Sequence, residues 1–194
     1  GVAAPRPSRA AAAGGAGRVG GLDGLAARRV GVLPAGGGRT PTEARLDKRW
    51  PAERFARLAN YLIRVHDARV VLVGTAEEQP LVAQVAGMMP LGATARAAIN
   101  RAGRVGLGEL GALCELAGLY VGNDVGSTYV AAATGCPTLA IYGPTDPAIT
   151  APYMVNGRVT TLWRPYDGPF SWATGVAVEE ATAAAEALLQ TAVA

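Results

Sequence analysis

GNDVGSTYVAAATGCPTLAIYGPTDP, residues 122–147, holds the pattern that decides the fold. It follows the apolar run LYVGND, 119–124, which reads as a strand entering a loop. STYVAAAT, 127–134, suits a short helix in which alanine permits close packing, and TLAIYG, 138–143, is a second strand, stopped by Pro144 and Pro147. An Asp, a Gly and two small hydroxyl residues thus fall directly after one strand, and Gly-Pro-Thr-Asp-Pro after the next. Two explanations fit: a nucleotide phosphate site in an α/β sheet, or a set of turns and helix caps.

The same alternation extends outward in both directions. RVGVLP, 29–34, is a strand that ends in Pro34 and then three glycines. The loop AGGGRTPTEARLDKRW is long for a βα connection, and such lengths are often functional. Pro51 opens the helix WPAERFARLANYLIRVH, with Phe55, Leu58, Leu62 and Val65 at helical spacing. RVVLVG, 69–74, is a buried-type strand, and Glu77 and Glu78 sit early in the next helix, whose start favours negative charge. MMPLGATARAAINRAG holds either a weak strand or only loop. LGELGALCELAG, 107–118, is helical, with Leu107, Leu110, Leu113 and Cys114 on one side. VTTLW, 159–163, is the expected last strand and VEEATAAAEALLQ, 178–190, the C-terminal helix. Apolar strands alternating with helices predict an α/β fold: a three-layer Rossmann-like domain with an open, mostly parallel sheet. Ligands of such sheets bind at the carboxyl ends of the strands, where the 35–38 loop, Thr75, the Asp124 loop and the Gly143 loop should converge.

The 194 residues suit one domain with a loose tail. Residues 1–28, rich in Gly, Ala and Pro, read as a linker or interdomain remnant, with a short helix at 22–28; residues 29–194 form the domain. A hydrophobic fraction of 50% fills a core, and the formal charge of +3 is mild. No dense basic stripe with interleaved aromatics argues for nucleic acid. No apolar run reaches transmembrane length, and the N-terminus lacks a signal-peptide core. Cys114 and Cys136 read as buried free thiols. One histidine, His66, is too few for a histidine-rich zinc site or a Ser-His-Asp relay, so neither metal nor catalytic residue is assigned. Trp50 should pack the base of the first loop, and Trp163 and Trp172 suit core or edge packing better than a pocket wall.

Arg39, Thr40, Thr42, Arg45, Lys48 and Arg49 offer charges and hydroxyls to a diphosphate, or form a solvated surface loop. Neither a Walker loop nor GxGxxG is present, and Lys48, close to a helix start, is the best single phosphate candidate. The amides of Gly126, Ser127 and Thr128 suit a phosphate at a helix N-terminus; an ordinary cap by Asp124 or Ser127 accounts for the same residues. Glu78 suits a ribose or simply its helix start.

Three segments together, KRWPAERFARLANYL, VVLVGTAEEQ and GRVGLGELGALCELAGLYVGNDVGSTYVAAATGCPTLAIYGPTDP, resemble glycosyltransferase family 9, the lipopolysaccharide heptosyltransferase group, over about residues 29–156. The resemblance implies the C-terminal, sugar-nucleotide-binding half of a GT-B enzyme. It implies that Thr40 and Thr42 meet donor phosphate, Lys48 binds phosphate, Glu78 holds the ribose and Val105 lies beside the base. Asp124, Val125 and Gly126 match the Asp-Ser/Thr-Gly signature for phosphate and sugar, continued by Ser127, Thr128 and Tyr129. The implied donor is ADP-heptose or another nucleotide-diphosphate sugar, with no cofactor, and the acceptor is a lipopolysaccharide or other cell-surface glycan. The implied location is cytoplasmic, with peripheral attachment at the inner membrane face as an option. Two residues depart from the family: Val125 replaces Ser or Thr, and Tyr129 replaces His. The family's N-terminal half, which binds acceptor and contributes a catalytic aspartate, has no room before residue 29. The chain alone is therefore expected to bind donor better than it transfers sugar. A noncatalytic nucleotide-binding module and a structural α/β domain are the other readings.

Overall fold

The structure is a computed structural model describing residues 30–34, 36–37, 46–89, 98–152 and 158–191. The tail 1–28, the helix expected at 22–28, and Thr40 and Thr42 lie outside the described residues. β1 (Val30–Pro34) is followed by a 3-10 turn (Leu46–Lys48) and α1 (Ala52–His66). β2 (Arg69–Val73) leads through a 3-10 turn (Ala76–Glu78) into α2 (Gln79–Gly87), then β3 (Ala98–Asn100), α3 (Leu107–Leu116) and β4 (Leu119–Asn123). α4 (Gly126–Ala133), β5 (Thr138–Ile141), α5 (Pro147–Thr150), β6 (Val159–Leu162) and α6 (Val178–Thr191) complete the order.

Every strand pairing is parallel, and the sheet runs β3-β2-β1-β4-β5-β6. After β1 the chain builds outward to β2 and β3; after β4 it builds the other way. The strand order reverses between β1 and β4, which opens a crevice at their carboxyl ends. This is a Rossmann-like three-layer α/β domain.

Strand side chains alternate between two cores because successive residues face opposite sides of a sheet. Leu33, Val70, Leu72, Leu119, Val121, Leu139 and Ile141 meet α1, α2 and α6 on one face. Val32, Val71, Val73 and Tyr120 meet α3 and α4 on the other. α1 buries Phe55, Leu58, Leu62 and Ile63, and full burial of each such side chain stabilises by roughly 1.5–3 kcal/mol. Val65, at the expected spacing, is 57% exposed instead, because Ile63 takes the last inward position. Leu107 is likewise solvent-facing, at the first turn of α3. Pro51 is the N-cap of α1 rather than its first helical residue, and Asp67 ends the helix in the left-handed conformation. Glu77 and Glu78 belong to the 3-10 turn before α2. The middle segment does hold a strand, β3, paired with β2 from Val70↔Ala98 to Leu72↔Asn100.

Cys114 and Cys136 are buried and unbridged. Contact with the Cys136 sulfur, reinforced by burial, holds the Cys114 thiol far above the ordinary range. No helix among the described residues is long and apolar enough to cross a membrane.

Candidate functional site: the rim at the β1–β4 crevice

Loops from β1, β2, β4 and β5 reach one edge of the sheet. Lys48 ends the 3-10 turn after β1, and Asp124 follows β4. Lys48 Nζ donates to Asp124 Oδ2 at 2.8 Å, with the carboxylate almost wholly buried and the ammonium partly exposed. The two loops therefore meet over the strand-order reversal.

Asn123, the last residue of β4, locks this junction from below. Its Oδ1 accepts from Trp50 N at 2.9 Å, and its Nδ2 donates to Gly36 O at 2.8 Å. Trp50 is itself buried edge-on against Phe55, with ring centroids 5.1 Å apart, and its Nε1 donates to Val176 O at 2.9 Å. The sequence marks Asn123 only as part of LYVGND, 119–124, a strand entering a loop. A polar side chain terminating an otherwise apolar run was the available signal.

Glu78 is buried and its carboxylate is engaged. Oε2 accepts from Thr75 N at 2.9 Å, while Oε1 accepts from Gly37 N and lies 3.4 Å from Arg49 Nη2. Arg49 Nε also donates to Gly37 O at 2.7 Å, so Arg49 and Glu78 grip both sides of one glycine. Glycine is required here. Gly37 has φ +106°, and a Cβ on Gly36 would lie 2.1 Å from Glu78 Cδ.

Asp124 does not cap α4. The N-cap is Val125, without a side-chain bond, and the Asp124 carboxylate turns to Lys48 and, at 3.3 Å, to the Tyr129 hydroxyl. Val125 packs against the glycine loop: a Cβ on Gly37 would come within 2.0 Å of Val125 Cγ1. Gly126 is exposed with open space around it, and as first residues of a helix Gly126 and Ser127 have no intrahelical acceptor for their amides. Thr128 does not join this rim. It is 1% exposed, its amide bonds Val125 O at 3.0 Å, and its hydroxyl donates to Asn123 O at 2.6 Å. The reason is Tyr120, a buried phenol under the start of α4 that donates to Ser127 Oγ at 2.8 Å and lies 3.2 Å from Thr128 Oγ1. Burial drives the Tyr120 pKa upward against the opposing pull of those hydroxyls, so it remains a neutral donor. Val105, before α3, is partly buried against the α3–α4 core beside β3.

Tyr129 reaches from α4 across to α5. Its hydroxyl donates to Thr150 O, which also accepts from Tyr142 at 3.1 Å. Burial first and the Asp124 charge second raise the pKa of both phenols. Among the described residues no cluster of His, Cys, Asp and Glu could hold a metal ion. His66 lies at the far end of α1 from the rim, 3.6 Å from Glu186.

The sequence model of glycosyltransferase family 9 (heptosyltransferase) matches residues 38–168, which hold β2 to β6 and the rim residues from Lys48 to Tyr129. The chain belongs to glycosyltransferase family 9. It is 36% identical to lipooligosaccharide heptosyltransferase 2 of Haemophilus influenzae over 115 residues, 59% of this chain and 33% of that protein. The E. coli ADP-heptose lps heptosyltransferase II superposes with a TM-score of 0.79 at 24% identity, covering 97% of this chain and 54% of that one. The family 9 glycosyltransferase of Veillonella parvula gives 0.73 at 27% identity, over 94% and 51%. The sheet and its helices correspond to the C-terminal Rossmann-like half of the GT-B fold in these family 9 structures. The match spans about a third of the curated relative and about half of each solved chain.

Proposed function

We propose that this family 9 domain binds the donor of a glycosyl transfer, a nucleotide-diphosphate sugar of the ADP-heptose kind, at the β1–β4 crevice. The observation that carries the reading is the 2.8 Å contact of Lys48 with Asp124 at the strand-order reversal, beside the open start of α4. Lys48 and the amides of Gly126 and Ser127 take the diphosphate, since a cation and helix-start amides converge there. In this reading the base lies near Val105, between β3 and α3; the ribose near the loop after β2, where Thr75, Gly37 and Arg49 already hold the Glu78 carboxylate; and the phosphates over β1 and β4. Thr40 and Thr42 complete the phosphate contacts. ADP-heptose is preferred because the name of the superposed E. coli enzyme carries it.

In the transfer, an acceptor hydroxyl forms a bond to the anomeric carbon as the bond from that carbon to the diphosphate oxygen breaks, with inversion. The departing nucleoside diphosphate gains negative charge. Lys48, already ordered by Asp124, stabilises that charge, and a preorganised cation in a half-buried site acts more strongly than one in water. The acceptor, a cell-surface glycan, and the general base that takes its proton are assigned to a further domain of the kind that complete relatives have room for. Work at the cytoplasmic face of the membrane fits such an acceptor.

A second reading, a nucleotide-binding module without transferase activity, is favoured by Val125. It seats a methyl group against Gly37 where the family has a hydroxyl. Calorimetric titration with ADP, ADP-heptose, and GDP- and UDP-sugars tests both. Saturable one-to-one binding is expected for at least one of them. A folded sample that binds none would overturn the donor site in either reading, and turnover by the chain joined to an acceptor domain separates enzyme from module.

A further inference from the structure

An anion that draws Lys48 toward itself leaves Asp124 without its cation. The Asp124 side chain is only 5% exposed, and a buried charge that loses its partner is strongly destabilised. A second donor on the carboxylate is needed, and the structure supplies one. Oδ2 faces Lys48, while Oδ1 faces the Tyr129 hydroxyl at 3.3 Å. That hydroxyl carries one proton and has two acceptors in reach: Asp124 Oδ1 and, nearer, the Thr150 carbonyl.

Thr150 does not depend on that proton alone. Its carbonyl also accepts from the hydroxyl of Tyr142 at 3.1 Å, and Tyr142 is buried. The carbonyl therefore stays satisfied when Tyr129 turns away. Burial and the Asp124 charge keep both phenols protonated at neutral pH, so both remain donors. The backbone on either side is held in place. Trp172 Nε1 donates to Asp47 O at 2.8 Å, directly before Lys48, and Tyr166 OH donates to Pro144 O at 3.0 Å, in the loop before α5. The groups left to turn are the Lys48 ammonium, on a side chain 23% exposed, and one hydroxyl.

We propose that Tyr129 is a positioning residue that replaces Lys48 on Asp124 when ligand binds. As a diphosphate takes the ammonium, the Tyr129 hydroxyl turns from Thr150 O to Asp124 Oδ1, and Tyr142 keeps Thr150 O. The proton stays on the Tyr129 oxygen; only its direction changes. This role rests on the reading of Lys48 and Asp124 as the diphosphate site. The test is calorimetric titration with ADP, inorganic pyrophosphate and adenosine. The proteins are the wild type, Tyr129→Phe, Tyr142→Phe, Asp124→Asn and the double variant Asp124→Asn/Tyr129→Phe, each close to the native side-chain shape. Tyr129→Phe should weaken ADP and pyrophosphate about 3- to 10-fold and adenosine less than about twofold. Tyr142→Phe should show a selective loss of the same kind, because Tyr129 is then held on Thr150 O. In the Asp124→Asn background, which has no charge to compensate, adding Tyr129→Phe should change ADP by less than about twofold. A hydroxyl that only supports the fold gives equal losses for ADP and adenosine, or the same loss in both backgrounds. Either result overturns the exchange, as does an unchanged ADP affinity in Tyr129→Phe or Tyr142→Phe, and each leaves the phosphate site standing. A wild type that binds neither ADP nor pyrophosphate overturns the phosphate site as well.

Discussion

The rim of the sheet is built by two methods on either side of β4. Toward β1 and β2, charged side chains face one another: Lys48 on Asp124, Arg49 on Glu78. Toward β5 and β6, aromatic rings are pinned by their N–H and O–H groups to backbone carbonyls, at Asp47, Pro144 and Thr150. The difference is one of exchangeability. A charged partner can be traded for an incoming anion, because the ligand replaces one ionic contact with another. A ring bonded to the backbone keeps its place whether or not a ligand is present. The first half is suited to grip and release, the second to shape.

Mutations should separate the halves. The largest effect is expected where they join. The Trp50 ring N–H donates to Val176 near the aromatic half, while its backbone amide, which a substitution keeps, donates to Asn123 in the polar half; Trp50→Ala, which removes the buried ring, should cost about 3–5 kcal/mol of unfolding free energy in urea. A loss below about 1 kcal/mol would show that the ring is not a support of this junction. Asn123→Ala strands the Trp50 amide and the Gly36 carbonyl, and should cost about 2–3 kcal/mol while leaving the Trp172 environment unchanged by near-ultraviolet circular dichroism.

Lys48→Ala should cut ADP affinity by about 1.5–3 kcal/mol and leave adenosine almost untouched, as calorimetry with both ligands would show. Equal losses for the two would remove Lys48 from the phosphate site. The smallest effect belongs to Tyr129→Phe, which removes the hydroxyl shared with Asp124 and Thr150 and should cost about 0.5–1.5 kcal/mol in urea. Its pH dependence has a definite sign. The folded phenol is raised above its ordinary value of 10.0, so its contribution is present below that pH and is lost as pH rises through the higher folded value. The gap between wild type and Tyr129→Phe should therefore narrow in strong alkali.

Much of this organisation was legible in the sequence. The apolar strands and their following loops mark a parallel sheet because burial on both faces leaves no polar alternation. Loops after parallel strands must share one edge, which brings Lys48 and Asp124 near each other without knowledge of any contact. The direction of individual side chains was not legible. Thr128 looks like a helix-start hydroxyl on the rim, yet the buried Tyr120 beneath it draws it inward, and a partner eight residues away leaves no mark in local spacing. Glu78 reads as a free acceptor, but its carboxylate closes on a glycine 41 positions earlier. Val65 and Leu107 fit a helical period and still face solvent, because period fixes a stripe and not where the stripe ends. Trp172 read as ordinary edge packing. Its place beside Asp47 depends on how the last loop folds back, which no local pattern records.

That fold-back sets an order of events on the ribosome. The bond from Trp172 to Asp47 joins residues 125 positions apart, and Arg54 reaches Val176 across 122. A nascent chain that has emerged only through β5 already carries Lys48, Asp124 and the crevice between them, but not the brace that holds residue 47. Such distant closures come late, since the entropy of the intervening chain must be given up first. The support of residue 47 therefore arrives only with the segment that carries Trp172, and a chain cut short before it lacks the brace at the first loop.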